Sequence, residues 1–435
     1  MKRLIAVCCA LVVALGAGAV WCSRGSSDAE LKQLARENPV NPRGDLALWG
    51  QPALLGEMVK AQNEQGRTVG FLLGSSELGQ TAEDSAHPVR FFTENDLGFS
   101  LISMGAGGFQ SLWSAIETGA LDECGALPEK KIALLLGTQW FMNSEGCTPE
   151  AFFKSFSEDA LRACLANEGL SPDTKTKIAN RVIELGIDTG TVESALSGTV
   201  VGEVNNAVAD LMSDEDADSQ LVDVLSAGGS CNDGWGASVE IDWQDMDAKA
   251  EVEGEAACTN NDYGIYDDYW DTYVSDRPWG TAYEGEPFAE WSETEFYDLG
   301  LFLQVCEELS IEPLLVLEPV NGYYYDMQPY TKESRDIFNE RVREVASEAE
   351  VALVDLSAHD YDKYYLRDVM HLGWKSWVQV DKALYEFYGS PGQGKSDLAK
   401  GHVGAETSTE ALADEAELEI LEAEGAGKEV FDDEE

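Results

Sequence analysis

Residues 68–79, TVGFLLGSSELG, decide the fold, because an apolar run of strand length passes directly into a Gly-Ser-Ser turn. Apolar runs of this length bounded by glycine are typical of buried strands. A serine on a sharp turn from a strand into a helix is lifted out of the sheet, and the amides of that helix point at whatever bonds to it. Gly79 comes one residue too late for a G-x-S-x-G elbow, so the turn alone does not establish whether Ser75 or Ser76 is a nucleophile.

Apolar runs of the same kind recur along the chain, separated by segments with a helical period. This alternation predicts an α/β fold with a mostly parallel sheet flanked by helices on both faces. The predicted strands are Thr68–Leu73, Phe99–Met104, Lys131–Leu136, Pro313–Val320 and Val351–Leu356. The predicted helices are Gln110–Leu121, Pro149–Leu165, Pro172–Leu185, Thr294–Leu309, Lys332–Glu348 and Trp374–Tyr388. Ligands bind beyond the carboxyl ends of the strands in such sheets, so we expect the site there.

Glycine-rich and polar turns follow three more predicted strands. The loop that contains Gly105, Gly107 and Gly108 can bring backbone amides close to an oxyanion. Gln139 follows the third strand, where its carboxamide can donate a hydrogen bond into the same space, and Asn321 follows the fourth. Each turn alone is compatible with ordinary turn chemistry. Together they supply candidate residues for oxyanion and substrate binding.

Asp368 and His371 lie near the end of the α/β pattern, in the motif DVMHLGW. A carboxylate three residues before a histidine can accept a hydrogen bond from one ring nitrogen while the other nitrogen faces a serine. The three other histidines lie before a proline (His87), in a helix-entry loop (His359) and near the carboxyl terminus (His402). We therefore predict His371 as a general base, Asp368 as the group that orients it, and a serine of the first turn as the nucleophile.

These blocks resemble those of the SGNH hydrolases. GSSE at 74–77 takes the place of their G-D-S-L block, and the glycines at 105–108 resemble their glycine block. Residues 137–139 resemble their G-x-N-D block, with Gln139 in place of the asparagine, and Asp368-x-x-His371 is similar to their terminal D-x-x-H. Because Ser76 takes the position of the serine of that superfamily, we choose Ser76 over Ser75 as the nucleophile.

Within that superfamily the sequence is similar to the DltD family of teichoic acid D-alanylation. The similarity rests on an amino-terminal apolar segment followed by GSSEL at 74–78, QWF at 139–141, PVNG at 319–322 and DVMHLGW at 368–374. It covers about Leu46–Met212 and Trp291–Tyr388. The resemblance implies an extracytoplasmic serine acyltransferase that moves D-alanyl ester groups onto teichoic acid hydroxyls through a seryl ester on Ser76.

The resemblance also implies partners: a teichoic acid acceptor and a membrane-embedded acyltransferase of the DltB type. We expect no cofactor and no metal. Two other functions stay open at this stage. One is an SGNH-type carbohydrate O-acyl esterase or acetyltransferase, which would use the same three residues. The other is a non-catalytic surface scaffold of the D-alanylation machinery.

Residues 1–24 have the pattern of a membrane anchor. Lys2 and Arg3 precede an uninterrupted apolar run from Leu4 to Trp21, which would form a helix of about 27 Å, just long enough to span a bilayer. A cleaved signal peptide is the competing interpretation, and a lipoprotein at Cys22 is disfavoured by the bulky residue before it. We favour the anchor, and expect a single-pass cell-membrane protein with its catalytic domain on the extracellular side.

The chain is strongly acidic, with 81 Asp and Glu residues against 29 Lys and Arg and a formal net charge of −52. A nucleic acid partner is excluded by this balance, because affinity for a polyanion comes from clustered basic residues. If the substrate is a polyphosphate, the few basic residues should lie near the cleft, and we expect Lys130, Lys131, Arg367 and Lys375 there.

The acidic residues are concentrated in two regions. Residues 203–298 hold 26 of them against two basic residues, and 391–435 are acidic again. We predict an acidic insert in the first region, whose aromatic residues pack with one another, and a disordered tail in the second. The remaining predicted units are a linker and domain entry at 25–65 and an SGNH-like α/β domain formed by 66–202 and 299–390.

Six cysteines follow the apolar segment: Cys124, Cys147, Cys164, Cys231, Cys258 and Cys306. An extracytoplasmic location permits disulfides, and Cys231 with Cys258 is the pair that we favour because both lie in one polar segment. Buried free thiols are an equally acceptable interpretation of the same residues.

Overall fold

The computed structural model describes residues 28–41, 46–79, 84–95, 97–197, 215–229 and 241–389. The predicted membrane anchor, the predicted tail and Cys231 lie outside these residues. Within them, no helix has the length and apolar character needed to cross a bilayer. Cys258 is a free thiol that donates a hydrogen bond to the Gly264 carbonyl oxygen at 3.3 Å.

Five parallel strands form one sheet in the order β2-β1-β3-β4-β5. The strands are β1 Thr68–Leu73, β2 Phe99–Met104, β3 Lys131–Leu136, β4 Glu312–Leu317 and β5 Ala352–Asp355. The first three have the predicted bounds, and the last two are shorter than predicted. The prediction of a parallel sheet flanked by helices is confirmed.

Alternate residues of each strand enter two separate apolar cores. Phe71 of β1 and Leu134 of β3 belong to one core, whereas Leu72 and Leu135 belong to the other. Because successive side chains of a strand point to opposite faces, both faces of the sheet are buried. This accounts for strands that are apolar along their whole length rather than at every second position.

Helices cover both cores, and residues 28–37 are also helical. The first helices are α1 Leu46–Trp49, α2 Pro52–Asn63, α3 Ser76–Gly79, α4 Pro88–Glu94, α5 Ser111–Glu123, α6 Pro149–Ser155, α7 Glu158–Ala166, α8 Pro172–Glu184 and α9 Thr189–Ser197. The remaining helices are α10 Glu215–Ser226, α11 Trp243–Ala257, α12 Asp267–Tyr269, α13 Glu293–Glu308, α14 Gly322–Tyr325, α15 Lys332–Glu348 and α16 Trp374–Tyr388. Short 3-10 helices cover Thr138–Phe141 and Ser357–His359, and a π-helical turn covers Trp270–Val274.

The described part of the acidic region packs against the α/β domain. Gly254 of α11 lies against Tyr364, where an added Cβ would come within 2.6 Å of the tyrosine side chain. Tyr263 stacks on Trp279 at a ring-centroid distance of 4.2 Å. Helix α13 begins at Glu293, inside the acidic region, and packs on α5. The last residues of that region therefore belong to the main core.

Candidate active site

The strand order reverses beside β1, because β2 lies on one side of it and β3 on the other. A crevice opens at the carboxyl end of a parallel sheet where the order reverses, and this is the usual place for a ligand. The chain leaves β1 through Gly74 and Ser75 and begins α3 at Ser76. The sequence-predicted nucleophile therefore lies at the reversal point.

Ser76, His371 and Asp368 form a continuous chain of hydrogen bonds, although 295 positions separate the serine from the histidine. His371 Nε2 lies 2.9 Å from Ser76 Oγ, and His371 Nδ1 lies 2.7 Å from Asp368 Oδ2. Since an ionised carboxylate only accepts hydrogen bonds, the ring proton is on Nδ1, which leaves Nε2 to accept the Ser76 proton. The three predicted catalytic residues are therefore in hydrogen-bonding contact.

The other oxygen of Asp368, Oδ1, is held by the backbone. It accepts hydrogen bonds from the amides of Met370 and His371, each at 2.9 Å. Burial alone would raise the pKa of Asp368, but the nearby His371 and these hydrogen bonds bring that pKa below its ordinary value. The carboxylate is thus ionised and fixed in one orientation.

The segment that carries these two residues is a tight loop, here called the histidine loop, residues 365–373. Leu366 pairs with Leu372 in an isolated β-bridge, and a Cβ at Gly373 would lie 2.6 Å from the Leu366 carbonyl carbon. The Arg367 guanidinium pairs with Asp84 at 3.1 Å. The loop is therefore held by its own backbone and by an ion pair to the segment before α4.

Ser75, the alternative nucleophile, is buried and engaged elsewhere. Its hydroxyl donates to the Ala106 carbonyl oxygen at 3.2 Å, and its amide donates to Glu77 Oε1. Ser76 is half-buried and its hydroxyl faces the imidazole. The geometry accordingly favours Ser76, the choice made from the sequence.

The glycine loop after β2 packs against the turn after β1. A Cβ at Gly105 would lie 2.6 Å from the Gly74 carbonyl, so only glycine allows this approach. A Cβ at Gly107 would lie 3.9 Å from Ser76 Cβ, and this is the nearest atom it would meet. Gly108 has a φ of +89°, in the left-handed region that favours glycine. The structure thus brings this loop beside Ser76.

Gln139 and Asn321, the two predicted amide side chains, differ in their partners. Both amide atoms of Gln139 are buried and have no hydrogen-bond partner among the described residues. Asn321 instead uses its amide on the backbone, accepting from the Tyr324 amide at 3.1 Å and donating to the Tyr263 carbonyl oxygen at 3.2 Å. The Gln139 amide is thus unpaired and buried against Gly137, whereas that of Asn321 stabilises the start of α14.

The four basic residues expected near the cleft fall into two pairs, one at the amino end of β3 and one at the histidine loop. Lys131 is the first residue of β3 and Lys130 precedes it, whereas Ser76 follows the carboxyl end of the adjacent strand β1. The expectation is therefore wrong for these two lysines. Arg367 lies in the histidine loop and Lys375 follows it, but both pair with carboxylates.

Two buried carboxyl groups beside the site were missed from the sequence, Glu77 and Glu318. Each follows an apolar strand, and a charged residue in that position ordinarily indicates a solvated turn. Their burial depends on packing between strands that are distant in sequence. Among the described residues, no three His, Cys, Asp or Glu side chains are grouped so that they could hold a metal ion.

A family model described as "DltD protein" matches residues 50–389 of the chain. The chain belongs to the DltD family. Among its relatives, DltD of Bacillus subtilis (strain 168) is 26% identical, over 73% of this chain and 81% of the relative. DltD of Staphylococcus aureus (strain NCTC 8325 / PS 47) is 26% identical, over 72% and 79%. DltD of Lacticaseibacillus rhamnosus is 24% identical, over 83% and 84%. The family predicted from the sequence motifs is confirmed.

Proposed function

We propose that this chain takes part in teichoic acid D-alanylation as a serine acyltransferase, with Ser76 as nucleophile, His371 as base and Asp368 as the group that orients it. The observation that carries the proposal is the hydrogen-bonded chain from Ser76 through His371 to Asp368 at the carboxyl end of β1. Membership of the DltD family supplies the choice of acyl group and acceptor.

In the first step, Ser76 Oγ attacks the carbonyl carbon of an activated D-alanyl group while its proton moves to His371 Nε2. Asp368 stabilises the resulting imidazolium through Nδ1. The bond to the leaving group then breaks, and that group takes the proton from Nε2. A D-alanyl ester on Ser76 remains.

In the second step, a hydroxyl of the teichoic acid chain gives its proton to His371 and attacks the ester carbonyl. Ser76 Oγ leaves and recovers a proton from the same imidazole, so the enzyme returns to its first state. Water must lose this competition, and an acceptor bound beside the ester has a far higher effective concentration than free solutes.

Each step forms a tetrahedral oxyanion that needs donors. The Gln139 amide, which has no partner among the described residues, and the backbone amides of the glycine loop are the candidates. Of the three glycines, Gly107 is the one whose added Cβ would have Ser76 as its nearest neighbour. We leave Asn321 out of this group, because its amide is used by the backbone.

The proposed setting is the outer face of the cytoplasmic membrane. Residues 1–24 would anchor the chain there, and a DltB-type membrane acyltransferase would deliver the D-alanyl group from the inside. This setting places Ser76 where both the delivered acyl group and the teichoic acid acceptor are present.

The proposal is tested by mass spectrometry of the peptide spanning residues 68–90 from cells with active D-alanylation. We expect a D-alanyl adduct on Ser76 in the wild type and none in His371→Ala. Ser75→Ala is the matched control, because it removes the neighbouring hydroxyl and should leave the adduct in place. An adduct on Ser75, or one that persists in His371→Ala, would contradict the mechanism.

Two further measurements distinguish the alternatives. Rapid hydrolysis of acetylated sugars by the purified protein, with no effect on D-alanine in cells, would favour a carbohydrate esterase. Cell-wall D-alanine that stays unchanged in Ser76→Ala but disappears when the whole protein is lost would favour a non-catalytic scaffold. We expect neither result.

A further inference from the structure

Two carboxyl groups that the triad does not use lie beside the nucleophilic turn. Glu77 follows Ser76 directly, and Glu318 follows the last residue of β4. Their exposed fractions are only 1% and 2%. Three of their four side-chain oxygens, Glu77 Oε2 and both oxygens of Glu318, have no hydrogen-bond partner among the described residues. Burying so many unpaired acceptors is costly unless at least one carries a proton.

Glu318 lies beside the carboxyl end of β3. Its amide donates to the Leu136 carbonyl oxygen at 3.1 Å, which continues the pairing of β3 with β4. Leu314 of β4 belongs to the same core as Leu135 of β3. Because strand side chains alternate between faces, the Glu318 side chain lies on the face that carries Leu314 and Leu135.

Glu77 reaches the same face from the β1 side. Its Oε1 accepts a hydrogen bond from the Ser75 amide. A Cβ at Gly74 would lie 2.4 Å from this oxygen and 3.2 Å from Leu135 Cδ1, so the carboxyl group is packed between the turn and the end of β3. The two carboxyl groups therefore flank the same strand end on one face of the sheet.

Only Glu77 has neighbours that stabilise a negative charge. Burial raises the pKa of Glu77, while the Ser75 amide and the nearby His371 act against that rise. Glu318 receives no donor among the described residues and faces Glu77, so burial and that like charge both raise its pKa. Asp368, which contacts the imidazole at Nδ1, has its own backbone donors.

We propose that Glu77 and Glu318 are positioning residues that together carry a single negative charge, with Glu77 ionised beneath the turn that holds Ser76 and Glu318 keeping its proton. The inference rests on the proposed roles of Ser76 and His371. The Glu77 charge favours the imidazolium that forms when Ser76 attacks. Loss of the Glu318 proton would place two like charges beside one turn and move the Ser75 amide away from its acceptor.

The test follows the rate at which a fluorophosphonate labels Ser76 of the full-length protein between about pH 5 and about pH 10. Serine attacks phosphorus, fluoride leaves, and the serine proton goes to the imidazole, so no D-alanyl donor is needed. We expect a rate that rises as His371 loses its proton and falls again at alkaline pH as Glu318 loses its own.

The variants separate the two carboxyl groups. In the pH profile of the labelling rate, the rise at low pH is here called the acid limb, and the fall at high pH the alkaline limb. Glu77→Gln keeps an acceptor for the Ser75 amide but removes the charge, so the acid limb should move about half to one pH unit lower. The maximum labelling rate should also fall. Glu77→Asp keeps the charge but shortens the side chain, so the rate should fall at every pH with the acid limb in place. Glu318→Gln cannot ionise, so the alkaline limb should move up by about one unit or more.

Glu117→Gln is the matched control, because Glu117 is another buried, incompletely paired carboxyl group and lies in α5. It should leave both limbs in place. The inference is overturned if the acid limb coincides in wild type and Glu77→Gln, or if the alkaline limb is absent in wild type or unmoved in Glu318→Gln. Labelling of Ser76 that does not require His371 would instead overturn the proposed function.

Discussion

Two Asp–His pairs of this chain share a spacing of three residues and a contact of 2.7 Å, Asp368 with His371 and His359 with Asp362. Of these two pairs, only the first contacts a serine within the part of the chain that the structure describes, and that serine is Ser76. Asp368 is buried and held by two backbone amides, whereas Asp362 is much more exposed. The surroundings of the pair, rather than its spacing, therefore make one histidine suitable as a base.

The first prediction concerns Asp368→Asn. The amide would no longer hold the proton on His371 Nδ1, so the ring would favour the tautomer that cannot accept the Ser76 proton. We expect the rate of Ser76 labelling to fall about 10³- to 10⁴-fold, as in other serine enzymes that lose this carboxylate. Asp362→Asn is the control and should change that rate less than about twofold. Similar losses in both variants would contradict the assignment.

The second prediction compares two glycines of one loop. Gly105→Ala places a methyl group 2.6 Å from the Gly74 carbonyl, which is backbone and cannot turn aside. We expect the free energy of unfolding to fall by about 1–3 kcal/mol. Gly107→Ala meets nothing closer than 3.9 Å and should change it by less than about 0.5 kcal/mol. Denaturant unfolding measures both, and equal effects would contradict the close packing of the two turns.

The histidine loop is the element on which the site depends. The third prediction concerns Arg367, which lies in this loop. This guanidinium pairs with Asp84 and lies over the Tyr266 ring, 4.8 Å from its centroid. A lysine cannot reproduce the planar stacking of the guanidinium on the Tyr266 ring. We expect Arg367→Lys to lower the free energy of unfolding by about 1–3 kcal/mol and to slow Ser76 labelling.

Arg341→Lys is the matched control for that substitution. Arg341 also pairs with a carboxylate, Glu293, and lies over an aromatic ring, that of Phe296, but the pair is largely exposed. Exposed ion pairs contribute little, so the change should stay below about 1 kcal/mol with labelling unaffected. Equal effects at both arginines would show that the histidine loop does not depend on its ion pair.

The bounds of β1, β2 and β3 could be predicted because parallel strands buried on both faces are apolar along their length. The predicted helix Pro149–Leu165 is instead two helices. The Ser157 hydroxyl accepts a hydrogen bond from the Ala160 amide and begins a second one, a capping choice that helical periodicity does not reveal. Helix α11 was missed because only Ala250 and Gly254 are buried, so no apolar stripe marks it.

The site could be predicted as far as its residues follow from motifs. The turn that holds Ser75 and Ser76 and the Asp368–His371 motif follow from local sequence, and the choice of Ser76 follows from its match to the serine position of the SGNH hydrolases. Glu77, Glu318 and the backbone use of the Asn321 amide could not be predicted, because each depends on which segments meet in space. Tertiary packing, rather than local sequence, decides which polar groups become buried.

For the whole molecule, buried carboxyl groups couple stability to pH, which is the fourth prediction. Burial raises the pKa of Glu117 and that of Glu295 from 4.5 to about 8. The folded state therefore binds more protons than the unfolded state, so this contribution to stability is fully present below pH 4.5 and is lost as pH rises to about 8. In Glu117→Gln, the free energy of unfolding should therefore fall less as the pH rises.

The measurement is the free energy of unfolding from denaturant titrations at about pH 5 and about pH 8. We expect the difference between Glu117→Gln and wild type to grow by at least about 2 kcal/mol in favour of the variant between these pH values. Comparing the two proteins cancels the contributions of the many other carboxylates. A difference that does not change with pH would contradict a protonated Glu117.

The contact between Ser76 and His371 closes a separation of 295 residues. Synthesis proceeds from the amino end, so a growing chain contains Ser76 long before the His371 imidazole has been made. Until the final part of the domain docks, that hydroxyl is an ordinary alcohol and cannot draw acyl groups away from their donor. Chains that stall or are cut before residue 371 lack this base, and phosphonate labelling in a pulse-chase would count only molecules that have completed the α/β domain.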